Sequence, residues 1–164
     1  MLDAAVALAW CFPDESNAYA DAVLHRFRDE TAVVPAIWPL EVANALVVGV
    51  RRSRLTSEQL AHASRLLQAL PIDVDTSLLS RVFDGTVRLA TSHGLSVYDV
   101  AYLELAQRLQ CPLATADTRL ATAAKVCGLF NKTVPFSPLL SFRRNLCPAR
   151  SRAFCFLRPM LWKG

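Results

Sequence analysis

The sequence predicts an α/β fold, a three-layer sandwich in which a short parallel sheet is wrapped by helices. Segments with helical periodicity alternate with short β-branched runs along residues 1–130. The 164 residues are 53% hydrophobic and only 20% charged, which is typical of one folded domain with a real core. No apolar run approaches the ~20 residues that cross a bilayer, so we expect no membrane segment.

The predicted elements follow from apolar spacing and from the residues that start and stop helices. Pro39 takes the favoured first position of a helix, and Pro13 and Pro71 end two others. Gly94 and Gly128 are expected helix stops. The predicted helices cover residues 4–11, 17–29, 39–52, 56–70, 78–93, 97–109 and 117–126. Short strands are predicted at residues 1–3, 31–35, 72–74 and 112–115.

Charge divides the chain into two parts. All 14 acidic residues lie in residues 1–117 together with nine of the 18 basic ones, which leaves −5 there and +9 in residues 118–164. Residues 131–164 hold four prolines, seven basic residues and no acid. We therefore expect a domain of residues 1–130 and a poorly ordered basic extension of residues 131–164.

The cysteines favour a reducing compartment. Their number is odd, and they form no CxxC pair. Cys11, Cys111 and Cys127 lie among apolar neighbours, as expected for buried free thiols. The expected location is the cytoplasm.

Four carboxylates fall where a predicted strand ends or a predicted helix begins: Asp3, Glu41, Asp99 and Asp117. Each has an ordinary structural interpretation, as a helix cap or as an anion in a first helical turn. Because such points gather at the carboxyl edge of a parallel sheet, we expect the four side chains to share one crevice. Crowded carboxylates repel each other, and a divalent cation relieves that repulsion. Oxygen-only ligands favour Mg²⁺ or Mn²⁺.

Two further residues are candidates to support these acids. In the run LEVANALVVGV, residues 40–50, the only polar side chains are Glu41 and Asn44. A helix that is apolar nearly all round is expected to be buried, and a buried Glu is costly unless it is paired or bound to metal. We expect Asn44 to orient the Glu41 carboxylate. Thr115 is a candidate to position the nucleophile or a phosphate, the alternative being an ordinary threonine at a strand end.

Four short segments carry all of these acids. They read LDAAVALAW at residues 2–10, EVANAL at 41–46, LSVYDVAYL at 95–103 and LATAD at 113–117. In this order they resemble the PIN-domain ribonucleases, most closely the VapC-type toxins of bacterial toxin–antitoxin modules. The resemblance assigns Asp3, Glu41, Asp99 and Asp117 to the family's acidic quartet. It implies a PIN-like fold and a Mg²⁺- or Mn²⁺-dependent endoribonuclease, usually dimeric and inhibited by an antitoxin protein. The chain departs from the family at Ala5, where Ser or Thr is common.

The predicted reaction is hydrolysis of an RNA phosphodiester bond. No histidine is well placed as a base, because His25, His62 and His93 fall on predicted helix surfaces or ends. Two alternatives stay open. A phosphotransfer or phosphatase domain also gathers acids at a sheet edge, but Asp3-Ala4-Ala5 lacks the second acid of an Asp-x-Asp motif. The other alternative is a catalytically impaired interaction protein that keeps the PIN fold.

Overall fold

A parallel sheet lies at the centre of the computed structural model, which describes residues 1–77 and 82–130. Strand β1 (Ala32–Pro35) pairs in parallel with β2 (Ile72–Asp75), and Val34 lies opposite Val74. Both strands begin within one residue of the predicted positions. Their β-branched residues are suited to a pleated, half-buried surface, which explains why these short runs form strands.

Three shorter extended segments continue the sheet on the other side of β1. The Leu2 N–H donates to the Val33 carbonyl at 3.3 Å, and Leu2 forms a parallel bridge with Ala114. Leu113 in turn forms a parallel bridge with Phe130. The order across the sheet is therefore β2, β1, residues 1–3, residues 113–114 and residues 129–130. The predicted strand positions are confirmed, and the segment at residues 129–130 is an addition.

Helices cover both faces of this sheet. The α-helices of the described residues are α1 Ala4–Leu8, α2 Ala18–Arg26, α3 Trp38–Arg51, α4 Ser57–Ala69, α5 Val87–His93, α6 Val97–Leu109 and α7 Thr118–Val126. Crossovers between parallel strands are right-handed, which places α1 to α4 on one face and α5 to α7 on the other. The packing agrees, since α1 contacts α2 and α3, and α6 contacts α5 and α7. The predicted three-layer α/β sandwich is confirmed.

Several helix ends lie where the sequence supplies a cap. Thr56 and Gln59 form a reciprocal capping box at the start of α4. Gly94 ends α5 with a φ of 61°, which only glycine adopts at no steric cost. Three predicted helices differ from the observed ones. The first ends at Leu8 instead of residue 11, and the second at Arg26 instead of residue 29. The one predicted over 78–93 contains a π-helical turn at Val82–Thr86 before α5, while residues 78–81 lie outside the described ones.

Helix α3 is buried on one side only, so the prediction that it is buried nearly all round is wrong. Its inner face carries Val42 and Leu46, each 3% exposed, where it packs against α1 and α4. On the opposite face Leu40 is 68% exposed, Val47 is 44% exposed, and Asn44 lies between them, also exposed. Composition alone could not show this, because both faces of the helix are apolar.

Other expectations concern the membrane, the thiols and the basic extension. In residues 1–77 and 82–130 no helix is both long and apolar enough to cross a bilayer. Cys11 is buried, whereas Cys111 and Cys127 are only partly buried, and all three are free thiols. The expected extension of residues 131–164 lies outside the described residues.

Candidate active site

The sheet places Asp3 and Thr115 side by side. Residues 1–3 and 113–114 are neighbours in the sheet, and the helices that follow them, α1 and α7, lie on opposite faces. Such a point, where successive connections leave a parallel sheet in opposite directions, opens a crevice at the carboxyl ends of the strands. Asp3 and Thr115 are the residues that leave the sheet at this crevice.

Asp3 is buried and held by its neighbour. Its side chain is 7% exposed, and the Thr115 hydroxyl donates a hydrogen bond of 2.5 Å to Asp3 Oδ2. The Asp3 N–H donates to the Ala114 carbonyl at 3.0 Å, which fixes the backbone. Asp3 occupies the N-cap position of α1, but its side chain makes no capping hydrogen bond. The N–H groups of Ala4 and Ala5, in the first turn of α1, still lie close enough to lower the pKa of this carboxylate.

The surroundings of Asp3 disfavour its charge. Burial raises the pKa of Asp3 from 3.8 to about 6, the hydrogen bond from Thr115 lowers it in part, and the nearby charge of Glu41 raises it again. The backbone N–H groups of Ala5 and Ala4 also lower the pKa of Asp3, but they do not offset the effect of burial. A buried carboxyl group next to a second carboxylate is stabilised in its charged form by a cation.

Glu41 reaches this place from α3. It lies in the first turn of that helix and is partly buried. The Tyr102 hydroxyl, which is on α6, donates a hydrogen bond to Glu41 Oε2. Tyr102 is 2% exposed, and burial, together with this hydrogen bond to Glu41, raises the pKa of its hydroxyl, which stays protonated as a donor.

Sequence reasoning missed both tyrosines near the acids. Tyr102 carries a signal that could have found it, since a tyrosine on a buried helix needs a hydrogen-bond partner for its hydroxyl. Tyr19 on α2 is partly buried, and burial raises the pKa of its hydroxyl, with the charge of Asp3 adding to the rise. Tyr19 therefore also lies within electrostatic range of Asp3.

Asp117 approaches the site through its backbone. Its N–H donates to Thr115 Oγ1 at 3.0 Å, so the Thr115 hydroxyl connects Asp117 to Asp3. The Asp117 carboxylate is exposed, and its Oδ1 accepts from the Leu120 N–H at 2.7 Å as the N-cap of α7. For this side chain the structure shows the helix cap that the structural interpretation expects.

Asp99 is held by a contact at the start of its own helix, and Asn44 faces solvent. The Ser96 hydroxyl donates to Asp99 Oδ2 at 2.7 Å, and the Asp99 N–H donates to Ser96 Oγ at 3.1 Å, which forms a capping box at the start of α6. Asn44 is exposed, and the hydrogen bonds of the described part of the chain include none from Asn44 to Glu41. The structure thus joins Asp3, Glu41 and Thr115, with the Asp117 backbone beside them.

The donor chemistry fits a hard divalent cation, although the ligands are not assembled. Every candidate ligand is a carboxylate or hydroxyl oxygen, the donor type that Mg²⁺ and Mn²⁺ prefer. Among residues 1–77 and 82–130, no three His, Cys, Asp or Glu side chains lie together as metal ligands. The charges of Asp3 and Glu41 interact, whereas Asp99 is held through Oδ2 and Asp117 through Oδ1 by contacts at the start of a helix.

Comparison with known proteins gives the family. Residues 1–126 match the PIN domain family. Ribonuclease VapC3 of Pyrobaculum aerophilum is 27% identical over 121 residues, which are 74% of this chain and 91% of that protein. Ribonuclease VapC1 of Mycobacterium tuberculosis is 32% identical over 108 residues, 63% of this chain and 77% of that protein. Because the family match covers well over half of the chain, the protein belongs to the PIN-domain family.

Proposed function

We propose that this protein is a Mg²⁺- or Mn²⁺-dependent endoribonuclease, the toxin of a toxin–antitoxin pair, acting in the cytoplasm. The observation that carries the proposal is the buried Asp3 carboxylate with Glu41 beside it, at the crevice of a PIN-domain sheet. The names of the relatives, which are ribonucleases, support the choice of RNA as substrate.

Asp3, Glu41, Asp99 and Asp117 are the proposed cation ligands. When bound, the divalent cation supplies an activated water and offsets negative charge on the phosphoryl oxygens. Thr115 keeps Asp3 in one orientation through its 2.5 Å hydrogen bond. Asp99 and Asp117 each contribute a carboxylate at the start of a helix, where the N-terminal end of the helix dipole also favours the approach of a phosphate.

The proposal includes two protein partners. One is a cognate antitoxin, which should block RNA cleavage when it is added to the toxin. The other is a second copy of this chain. The exposed apolar face of α3 that includes Leu40 and Val47 is the surface that favours a homodimer.

The experiment is incubation of the full chain with total RNA and Mg²⁺ or Mn²⁺, with and without EDTA, followed by mapping of the cleaved ends. We expect cleavage only with the metal, leaving a 5′-phosphate and a 3′-hydroxyl. Asp3→Asn, Asp99→Asn and Asp117→Asn should each nearly abolish cleavage. Asp29→Asn, which alters an exposed acid in the turn after α2, is the matched control and should cleave as the wild type does.

The same variants separate catalysis from folding. Asn caps a helix about as well as Asp, so Asp117→Asn should melt within a few degrees of the wild type. Variants that unfold would show that the acids act as caps. A wild-type protein that folds and cleaves no RNA with either metal would instead be a PIN-fold interaction protein without catalysis.

A further inference from the structure

We propose that Tyr102 is a positioning residue that holds the Glu41 carboxylate beside Asp3, ready to bind a divalent cation. The inference rests on the proposed function, because it concerns the same cation. It adds a residue from α6 that does not itself touch the cation and acts through Glu41.

The first step is the contrast in mobility between the two side chains. Tyr102 is 2% exposed and belongs to the hydrophobic core, so packing fixes its ring. Glu41 is only partly buried, and the preceding residue, Leu40, is 68% exposed. A glutamate at such a position can turn towards solvent. The hydrogen bond from Tyr102 to Glu41 Oε2 therefore ties a mobile carboxylate to a fixed point in the core.

The second step is that the contact with Tyr102 holds the Glu41 carboxylate near the like charge of Asp3. Glu41 lies close enough to Asp3 for the two charges to repel. A buried tyrosine hydroxyl would be satisfied equally well by a backbone carbonyl or an amide, with no such repulsion. An arrangement that costs stability without a cation and is favourable with one is expected of a cation site.

The third step concerns Oε1, the second oxygen of the Glu41 carboxylate. Tyr102 occupies Oε2 of Glu41, and in the described part of the chain Oε1 accepts no hydrogen bond. A carboxylate held through one oxygen presents the other in a defined direction. Groups that orient a metal ligand in this way typically change metal affinity or activity by roughly 10- to 100-fold when they are removed.

The test measures binding of Mn²⁺ alone to the full chain by isothermal titration calorimetry, without RNA. Tyr102→Phe removes only the hydroxyl and should weaken Mn²⁺ binding roughly 10-fold or more. Tyr98→Phe makes the same chemical change on the same helix, at a side chain that is 61% exposed, and should bind Mn²⁺ as the wild type does. Melting in EDTA reports separately on the fold.

A double variant shows whether Tyr102 acts through Glu41. In a Glu41→Gln background, Tyr102→Phe should cause no further loss of Mn²⁺ affinity, because the carboxylate that it positions is gone. Should Tyr102→Phe fail to fold, Glu41→Asp breaks the same contact from the other end while keeping the charge, and it should weaken Mn²⁺ binding in the same way.

Two results overturn the inference alone and leave the proposed function standing. One is a Tyr102→Phe variant whose Mn²⁺ affinity equals that of a wild type that itself binds Mn²⁺. If Tyr102→Phe does not fold, the same result for Glu41→Asp overturns the inference. The other is a further loss of affinity in the Glu41→Gln background. A folded wild type that binds no Mn²⁺ and cleaves no RNA overturns both the inference and the proposed metal dependence.

Discussion

At the scale of single residues, Asp3 is the clearest case of a side chain whose charge lowers the stability of the fold. Burial raises its pKa from 3.8 to about 6. The folded state therefore holds the proton more tightly than the unfolded state between these two values. The contribution of Asp3 to the free energy of unfolding should be highest below pH 3.8, fall as the pH rises to about 6, and stay reduced above that. The shift corresponds to about 3 kcal/mol.

Asp3→Asn should remove this pH dependence. The amide oxygen can still accept from Thr115, and no charge is left to bury. We expect the variant to be more stable than the wild type at pH 7, by up to about 3 kcal/mol, and equal to it below pH ~4. Urea denaturation in EDTA from pH 3.5 to 8 measures this, with Asp29→Asn as control. A variant less stable at pH 7 would show that the Asp3 carboxylate stabilises the fold.

The positions of some of these residues could be predicted from the sequence, but the partners of their side chains could not. The positions of Asp3 and Asp117 at element ends follow from local signals, because strand ends and helix caps have local causes. The direction of a side chain depends on which helix face is covered. Asn44 lies three residues from Glu41, yet it faces solvent because α3 packs through Val42 and Leu46. For the same reason the partner of Glu41 is Tyr102, which lies 61 positions away in the chain.

At the scale of elements, α3 closely approaches Phe12, in the segment that follows α1, at Gly49. A Cβ at Gly49 would lie 2.5 Å from Phe12 Cε1 and 3.3 Å from Leu55 Cδ1. Phe12 is itself buried, and Arg54 packs over its ring. The absence of a side chain at residue 49 therefore allows α3, which carries Glu41, to lie against this part of the core.

Gly49→Ala should destabilise the protein by about 1–3 kcal/mol, as overpacking in a core does. Gly85→Ala is the control, because a Cβ there meets nothing within 4 Å. Chemical denaturation of the two variants measures the difference. If Gly49→Ala proves more stable, through the helix preference for alanine, the Phe12 ring can move aside and the contact does not fix the position of α3.

Elements with strong local signals were predictable, and the shortest segment of the sheet was not. The helix at Val97–Leu109 has the predicted bounds, since Ser96 starts it and its apolar residues repeat with helical spacing. The last segment of the sheet, residues 129–130, was not predicted. Two residues are too few for any periodicity, and only the pairing of Leu113 with Phe130 makes the segment part of the sheet. A pairing between segments that are distant in the chain cannot be predicted from the local sequence.

At the scale of the whole molecule, the exposed side of α3 predicts self-association. Val47→Lys places a charge at the centre of the apolar face that includes Leu40 and should shift the protein from dimer to monomer. Val126→Lys alters a residue that is 77% exposed on α7 and should leave the dimer intact. Sedimentation equilibrium at micromolar concentration distinguishes the two. A wild type that is already monomeric there would contradict the prediction, and equal behaviour of both variants would place the interface elsewhere.

Truncation after Phe130 tests whether the domain ends where the sequence predicts. The family match ends at residue 126, and the last pairing of the described sheet is that of Leu113 with Phe130. Residues 1–130 therefore contain every element that the described sheet and core use. We expect the truncated protein to melt at the temperature of the full chain and to cleave RNA at the same rate.

The seven basic residues beyond Phe130 give the other outcomes distinct physical meanings. Weaker RNA binding with a smaller salt dependence would mean that the extension binds RNA phosphates. Each such contact releases counterions, so its loss reduces the salt dependence. Faster cleavage would mean that an arginine of the extension pairs with the site carboxylates and inhibits them. Loss of folding would mean that residues 131–164 supply part of the core, which would contradict the domain boundary itself. Melting curves and cleavage rates at low and high salt, measured on both proteins, separate these cases.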